Sequence, residues 1–386
     1  MTAISGSHHR ADGQKRPHLR ELDWLMLATV ALCCLGLVMA VSVRGADARV
    51  GPIDAMKQHG TKLFAALAAF LLAALTPMRV VCKVAFPAFL AATFCCLLPL
   101  FISSDVNGAH RWIKIGSFQF QPIEPARFFM ILAVAWILAR SGSGVATFRR
   151  GFLPAIGCAG LLAGTLMCQP DHGNALIVLA LASVLALVAG VRFLHFLPFA
   201  VAGLSLFAWA AFRHDYVRTR LADMSSTRPG SQVGLGLIAL SSGGVTGKGL
   251  GQGWMKMSYV PEAHNDFVFA IIGEEFGYLG SLFVLAAFTT FGVVGYRLAC
   301  KVRDPFLRYL VCGYALMICM QAAANLLVVS GWAPAKGIDL PFVSTGGTSL
   351  MFCLAAVGLI GNAARTDMAG EFSTVNEFAV NASGRV

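Results

Sequence analysis

Residues 24–43 read WLMLATVALCCLGLVMAVSV, twenty positions without a charged side chain. A run of this length matches the hydrocarbon core of a bilayer, which an α-helix crosses in about 20 residues. The polar segment before it contains Arg10, Lys15, Arg16 and Arg20, which would also suit a secretory signal peptide. Signal peptides have shorter apolar cores of about 7–15 residues, so we interpret this run as a first spanning helix that is retained.

Comparable apolar runs recur along the whole chain. We place them near 24–43, 61–79, 82–103, 125–140, 152–169, 174–190, 193–212, 267–296, 309–330 and 345–364. The composition agrees, because 57% of the residues are hydrophobic and only 13% are charged, whereas soluble domains carry about 25% charged residues. The sequence therefore predicts an all-α integral membrane protein with about ten transmembrane helices.

Charge in the short connections predicts the orientation. Connections between alternate runs hold ten basic residues and one acid, namely Arg79, Lys83, Arg140, Arg149, Arg150, Arg192, Arg297, Lys301, Arg303, Arg308 and Asp304. By the positive-inside rule these loops face the cytoplasm, and an even number of spans puts both termini there too. We therefore expect cytoplasmic tails at 1–23 and 367–386, the second disordered, around a membrane domain at 24–366.

The connection between the seventh and eighth runs, residues 213–266, is the longest in the chain. We predict that it forms a large periplasmic or extracellular loop, because long loops largely escape the charge rule. Residues 234–247 within it are semi-apolar and too short to span, so we expect a re-entrant or interfacial segment. Six basic residues in this loop need a purpose: Arg213, Arg218, Arg220, Arg228, Lys248 and Lys256.

Eleven cysteines raise the question of a metal site or a disulfide framework, but the chain has no CxxC pair. Almost all of them fall in apolar runs, as Cys33, Cys34, Cys95 and Cys96 do, so we interpret them as small buried hydrophobes. The formal net charge of +11 suits anionic headgroups or an anionic substrate. We expect membrane lipids as partners, and no nucleic acid.

Polar clusters stand at the predicted outer ends of the helices. Residues 107–112 include Arg111 and Trp112, and a later run begins with Glu124 and Arg127. These last two lie three positions apart, so they can pair on one helix face. Ionisable residues inside a membrane usually mark a function, and a purely structural ion pair is the alternative.

Two further clusters could bind a ligand or could have a purely structural role. Asp171 lies in the turn QPDHG at 169–173, where an acid can bind a ligand or cap the next helix. Residues 246–253, TGKGLGQG, resemble a phosphate loop, but Lys248 is not followed by the Ser or Thr of a Walker motif. Their glycines could cradle an anion through backbone N–H groups, and a plain flexible loop explains them equally well.

The fourth cluster, VPEAHND at 260–266, contains Glu262, His264 and Asp266 directly before an apolar run. Asp266 lies at the predicted membrane boundary, where partial desolvation would make it a stronger base. An acid at a helix start can equally be a cap, but the polar residues before it favour a functional role.

Glu274 and Glu275 follow about 12 Å deeper, at 1.5 Å per helical residue, so we expect them to form a structural pair or a polar cavity. The outer face then offers one exposed carboxylate among several cations. This suits a reaction at an anionic, phosphate-bearing, lipid-linked substrate, with the cations stabilising a diphosphate leaving group. A transporter of an anion would carry much the same residues.

These motifs resemble those of the SEDS family (shape, elongation, division and sporulation), the FtsW/RodA peptidoglycan polymerases. The resemblance covers nearly the whole chain: NGAHRWI at 107–113, QPIEPAR at 121–127, QPDHG at 169–173, GKGLGQG at 247–253, VPEAHNDFVFAIIGEEFGYLG at 260–280 and LPFVSTGGTS at 340–349. Three motifs depart from the family pattern. Asn265 replaces a Thr, Ile123 and Arg127 stand where Ser and Lys are usual, and Thr345 replaces a Tyr, which leaves fine substrate contacts open.

The resemblance implies that the chain polymerises glycan from lipid II on the outer face of the cytoplasmic membrane. Asp266 would help deprotonate the GlcNAc 4-hydroxyl, which attacks the lipid-linked MurNAc and releases undecaprenyl diphosphate with inversion. Lys248 and Arg111 would contact the diphosphates. The further substrate-binding candidates are Trp112, Glu262, His264 and Asp171, and Glu124 with Arg127 looks like the family's intramembrane ion pair. No cofactor is certain, and a divalent cation is left open.

The PEAH sequence at 261–264 and the N-terminal tail resemble the division branch of this family more than the elongation branch. That branch implies a septal location, with a class B penicillin-binding protein (a transpeptidase) and other divisome proteins as partners. Three alternatives stay open: a RodA-type elongation polymerase, a lipid II flippase, and a scaffold that only recruits partners.

Overall fold

The computed structural model describes residues 16–45, 51–102, 112–115, 118–169, 171–203, 205, 231–257, 265–334, 337–370 and 372–373. Within these ranges the protein is built almost entirely of helices. In chain order they are α1 (Arg16–Arg44), α2 (Gly51–Leu75), α3 (Met78–Cys95), α4 (Ile123–Ser141), α5 (Leu153–Cys168), α6 (His172–Val188), α7 (Phe193–Gly203), α8 (Gln232–Ser242), α9 (Val268–Lys301), α10 (Pro305–Val329) and α11 (Gly347–Ala369). A single helical turn, Pro99–Ile102, follows α3, and a π-helical turn, Phe148–Phe152, leads into α5.

Seven helices of the described chain are long and apolar enough to cross a membrane: α1, α2, α3 with its following turn, α5 with its preceding turn, α9, α10 and α11. The all-α membrane class is thus confirmed, and the chain is a multi-pass membrane protein. The predicted total of about ten spans stays a prediction, because α6 and α7 are shorter and α4 carries Glu124, Arg127 and Arg140.

The buried centre of the bundle is formed by α4, α10 and α11. Apolar side chains line these helices on nearly every face, as expected for helices surrounded by others. By contrast, α2 keeps Phe64, Leu72 and Leu75 more than 70% exposed, a pattern that fits contact with lipid tails rather than with water. Helix α2 still packs closely on α11, where a Cβ at Gly358 would lie 2.4 Å from the Phe70 carbonyl oxygen.

Two chain ends differ from the predicted boundaries. Helix α1 begins at Arg16, eight residues before the apolar run, because Glu21 continues it on the polar side and pairs with Lys301 at 2.5 Å. At the other end, α11 continues to Ala369, and Phe372 packs on Phe306 with ring centroids 6.1 Å apart. Asp367, near the end of α11, accepts hydrogen bonds from the Arg303 and Asp304 N–H groups before α10.

A short antiparallel hairpin joins β1 (Ile113–Ile115) to β2 (Phe118–Phe120), with Ile113 opposite Phe120. The sequence did not predict it, because three residues per strand give too little alternation to recognise. The Thr348 hydroxyl of α11 donates to the Gln119 carbonyl oxygen at 3.3 Å. The hairpin therefore lies over the beginning of α11.

Helix α9 is broken at Gly277, whose φ of 67° and ψ of −157° are not helical. The loop after α8 supplies the hydrogen bonds that the break removes. Lys248 and Gly249 N–H donate to the Glu274 and Glu275 carbonyls at 3.0 Å each, and Tyr278 N–H donates to the Gly244 carbonyl at 2.9 Å. Non-helical backbone at membrane depth is tolerated only with such internal partners.

We expect Gly277→Ala to destabilise the protein by about 2–4 kcal/mol, the combined cost of a positive φ and a steric clash. A Cβ at Gly277 would lie 2.3 Å from the Gly247 nitrogen and 2.5 Å from the Val245 carbonyl oxygen. Thermal unfolding in detergent should show a lower Tm. The matched control is Gly160→Ala in α5, where a Cβ meets nothing within 4 Å; an equal Tm loss in both variants would contradict this account.

Candidate active site

The two glutamates of α9 beside the break are fully buried. The loop after α8, residues 243–257, is called the glycine-rich loop, and its lysines neutralise them: Lys248 pairs with Glu274 and Lys256 pairs with Glu275. Glu274 accepts hydrogen bonds from the Lys248 ammonium at 2.8 Å and from the Trp254 and Met255 N–H groups. Buried carboxylates need such compensation. The structural pairing expected for Glu274 is therefore present.

Glu275 is compensated in the same way from a different direction. Its Oε1 lies 2.6 Å from the Lys256 ammonium, and its carboxylate accepts a hydrogen bond from the Ser42 hydroxyl of α1 at 2.7 Å. Lys256 also donates to Ser42 Oγ at 2.9 Å. This three-residue network ties α1, the glycine-rich loop and α9 together.

The structure places Lys248 differently from the sequence-based prediction. Its ammonium points at Glu274 rather than at an open anion site, and only 33% of the side chain is exposed. The Lys248 and Gly249 N–H groups donate to α9 carbonyls, and the Gly247 N–H donates to the Gly243 carbonyl, rather than to a phosphate. The geometry thus assigns this loop to bracing the broken helix.

Glu124 and Arg127 form an ion pair at 2.5 Å in the first turn of α4, with both side chains less than 10% exposed. Breaking a buried pair of this kind typically costs about 3–5 kcal/mol, because one charge is left uncompensated. The Arg127 Nε atom has no hydrogen-bond partner among the described residues. The pair lies inside the bundle, and both of its residues belong to α4.

Asp171, a predicted substrate-binding residue, is 2% exposed. It is the N-cap of α6, with its carboxylate accepting from the Asn174 backbone N–H at 3.4 Å and from the Asn174 side-chain amide at 2.8 Å. The structure therefore shows the cap of the capping alternative, and contact of Asp171 with a substrate stays a prediction. An Asx cap satisfies N–H groups that the first helical turn leaves without partners.

Asp266, the predicted catalytic acid, lies in the turn that leads into α9 and is half-buried. Its backbone carbonyl accepts a hydrogen bond from the Asn325 side-chain amide of α10 at 2.7 Å. The same amide donates to the Ile338 carbonyl at 2.6 Å, so the turn is fastened to the segment before α11. A Cβ at Gly337 would lie 3.2 Å from Asp266 Oδ2; this glycine therefore leaves room for the carboxylate.

The LPFVSTGGTS segment before α11 holds the residue next to Asp266. The Ser344 hydroxyl donates to the Asn265 carbonyl at 2.7 Å, and the Thr345 hydroxyl donates to the Asn265 side-chain oxygen at 2.8 Å. Asn265 and Thr345 are two of the family departures seen in the sequence, and the structure shows them bonded to each other. Two positions at which the sequence departs from the family pattern are therefore in contact with each other.

Two ionisable residues beside this segment were missed by sequence reasoning. The Lys62 ammonium of α2 donates to the Thr345 carbonyl at 2.8 Å. Asp339 is packed so closely against Gly346 that a Cβ there would lie 2.1 Å from its Oδ2. Lys62 could have been recognised in the sequence, because it lies near the start of the predicted apolar run 61–79 and ionisable residues within such runs usually mark a function.

Of the remaining predicted site residues, Trp112 is half-buried directly before β1. Arg111, Glu262 and His264 lie outside the described residues. Within the ranges that the structure describes, no three side chains of His, Cys, Asp or Glu converge as a metal site. The described site is therefore a half-buried carboxylate held by Asn325 and the pre-α11 segment, with an ammonium group nearby.

The family model and two curated relatives match two thirds of this chain or more. A family model described as "Cell cycle protein" and built on FtsW, RodA and SpoVE matches residues 23–368. The probable peptidoglycan glycosyltransferase FtsW of Geobacter metallireducens is 33% identical over 348 residues, covering 88% of this chain and 93% of the relative. Stage V sporulation protein E of Bacillus subtilis is 36% identical over 264 residues, covering 67% and 72%.

Solved structures agree with the fold. A chain from the structure described as "Structural coordination of polymerization and crosslinking by a peptidoglycan synthase complex" superposes with a TM-score of 0.76 at 26% identity, covering 89% of this chain and 97% of that chain. The rod shape determining protein RodA of Thermus thermophilus gives a TM-score of 0.64 at 27% identity, covering 89% and 96%. The chain therefore belongs to the FtsW/RodA/SpoVE family of cell cycle proteins.

Proposed function

We propose that this protein is a peptidoglycan glycosyltransferase that polymerises lipid II into glycan strands at the outer face of the cytoplasmic (inner) membrane. The observation that carries the proposal is Asp266, a half-buried carboxylate fastened by its backbone to Asn325 and flanked by Asn265. Relatives 32–33% identical over most of this chain have the name of that activity. The fixed turn suits a group that must meet a substrate hydroxyl in a set geometry.

In the proposed reaction Asp266 accepts the proton of the GlcNAc 4-hydroxyl of one lipid II molecule. The oxygen attacks the anomeric carbon of the lipid-linked MurNAc, the bond to the diphosphate breaks, and undecaprenyl diphosphate leaves with inversion. A positioned carboxylate of this kind typically contributes about 10²–10⁴-fold to a rate. Arg111, Trp112, Asp171, Glu262 and His264 stay proposed substrate contacts.

A lipid II flippase is the competing function, and the intramembrane charges Glu124, Arg127, Glu274 and Glu275 motivated it. Each of these groups is engaged in a buried ion pair. Charges that neutralise one another inside the fold do not line a continuous path for an anion. The contacts therefore favour the polymerase.

We further propose that the protein acts at the division septum with both termini in the cytoplasm, beside a class B penicillin-binding protein and other divisome proteins. The septal location is supported by the sequence of the 261–264 motif, which resembles that of the division branch. The partner is supported by the similarity to a chain from a structure described as coordinating polymerization and crosslinking. An elongation polymerase of the RodA type is the alternative.

We expect Asp266→Asn to lower the rate of glycan formation from lipid II by about 10²–10⁴-fold, because the amide cannot accept the proton. The measurement is polymer length and rate with purified full-length protein and its transpeptidase partner. The matched control is Asp54→Asn, an acid 65% exposed and paired only loosely with Lys57 at 3.7 Å. Normal polymerisation by the Asp266 variant would refute the catalytic assignment.

In liposomes that contain labelled lipid II, the purified protein with its partner should produce glycan polymer. Translocation of the label without polymer would instead support the flippase. The same preparation of Asp266→Asn should yield neither product above background. A flippase would still move lipid II in that variant, because the charges that motivate the flippase hypothesis do not include Asp266.

A fluorescent fusion should concentrate at the septum and should copurify with the class B penicillin-binding protein. A fusion spread along the side wall would point to elongation. The Asp266→Asn fusion should localise normally but fail to rescue a depleted strain. Rescue by this variant would support the non-catalytic scaffold in place of the enzyme.

A further inference from the structure

Helix α2 presents two polar side chains one turn apart, His59 and Lys62, on the face that packs against α11. Positions three apart share a helix face. The Lys62 stem lies against Gly347, where a Cβ would be 3.3 Å from its Cγ and Cδ atoms. His59 is 2% exposed, and its Nδ1 has no hydrogen-bond partner among the described residues.

This wall of α2 is connected to Asp266 through two hydrogen bonds. The Lys62 ammonium donates to the Thr345 carbonyl at 2.8 Å, and the Thr345 hydroxyl donates to the Asn265 side-chain oxygen at 2.8 Å. Asn265 directly precedes Asp266 in the chain. Lys62 and the proposed catalytic residue Asp266 are thus linked through Thr345 and Asn265 in front of α11.

The charge of Lys62 is used differently from that of the two lysines of the glycine-rich loop. Lys248 and Lys256 each lie within 3 Å of a buried glutamate oxygen. In the described part of the chain, no carboxylate lies within ion-pair distance of Lys62, and its recorded bond is to a neutral carbonyl. An ammonium has three donors, so two remain available to a ligand.

One cation and one acid act on the Lys62 ammonium. The fields of Arg44 and of Asp339 both act on its ammonium, and the Arg44 guanidinium donates to Gln58 on α2 at 3.0 Å. Counted together, Lys62, Arg44 and Asp339 carry one net positive charge, which suits an anionic ligand. The buried His59 Nδ1, one turn before Lys62, has no partner among the described residues, and a polar ligand or a water molecule would satisfy it.

We propose that Lys62 binds the diphosphate of the lipid-linked substrate, so that the α2 wall, rather than the glycine-rich loop, supplies a cation to the active site alongside the proposed contact Arg111. The inference rests on the proposed polymerase function, because Asp266 must stand beside the diphosphate-bearing sugar. The chemistry recognised is a diphosphate joined to a polyprenyl chain.

The experiment compares Lys62→Met with wild type in the full-length protein and its partner. The readouts are the Kd for undecaprenyl diphosphate in nanodiscs and the KM and kcat for lipid II. Loss of a charge-assisted hydrogen bond should raise Kd and KM by about 10–100-fold, and Lys62→Arg should restore most of the affinity. Competition with inorganic diphosphate tests whether the polyprenyl chain contributes to binding. If inorganic diphosphate at equal concentration displaces undecaprenyl diphosphate, the specificity for a lipid-linked diphosphate is overturned.

The matched control is Lys57→Met on the same helix, since Lys57 is 71% exposed and should leave both constants unchanged. If Lys62 merely braces Thr345, Lys62→Met should lower the Tm with an unchanged Kd, which would overturn the inference. Should the methionine variant fail to fold, Lys62→Gln keeps a donor for the Thr345 carbonyl without the charge. A wild-type Kd in that variant would likewise overturn it.

The two proposals fail separately. Normal Kd and KM in Lys62→Met, with turnover abolished in Asp266→Asn, would refute the α2 wall and leave the polymerase standing. Normal turnover in Asp266→Asn would refute the polymerase assignment of Asp266 whatever the Lys62 variants bind.

Discussion

Helix α9 has to break inside a membrane bundle, and the rest of the site depends on how the break is satisfied. Lipid offers no partners for freed backbone groups, so the protein supplies them from the loop that follows α8. That loop brings its own backbone to Glu274, Glu275 and Tyr278 and adds two ammonium groups for the buried carboxylates. The half of α9 that begins just after Asp266 is therefore fixed from one side.

The segment before α11 fixes the same half-helix from the other side. Asn325 bridges the Asp266 and Ile338 carbonyls, while Ser344 and Thr345 both bond to Asn265. Phe342 adopts a left-handed φ of 66° within this segment, a conformation that costs about 1–2 kcal/mol for a non-glycine residue. Its burial against Phe291 and the hydrogen bonds around it compensate that cost.

Much of this could be predicted from the sequence because membrane helices leave a strong signal. Apolar runs gave the helical class, and the Glu124–Arg127 spacing of three indicated a pair that the structure contains. The role of the glycine-rich loop could not be predicted, because a glycine–lysine pattern suits an anion as well as a buried glutamate 26 positions away. Lys62 was missed for a similar reason, since its partner Thr345 lies 283 residues along the chain.

The lysine–glutamate pairs also alter the meaning of the basic residues in the long connection at 213–266. Six cations in a loop that the sequence predicts to lie on the outer side would conflict with the usual distribution of charge, yet Lys248 and Lys256 each enter the fold with a glutamate of α9. Seen from the membrane potential, such a pair is electrically silent, because moving both partners together transfers no net charge. An apparent exception to the topology rule is thus partly a consequence of tertiary structure.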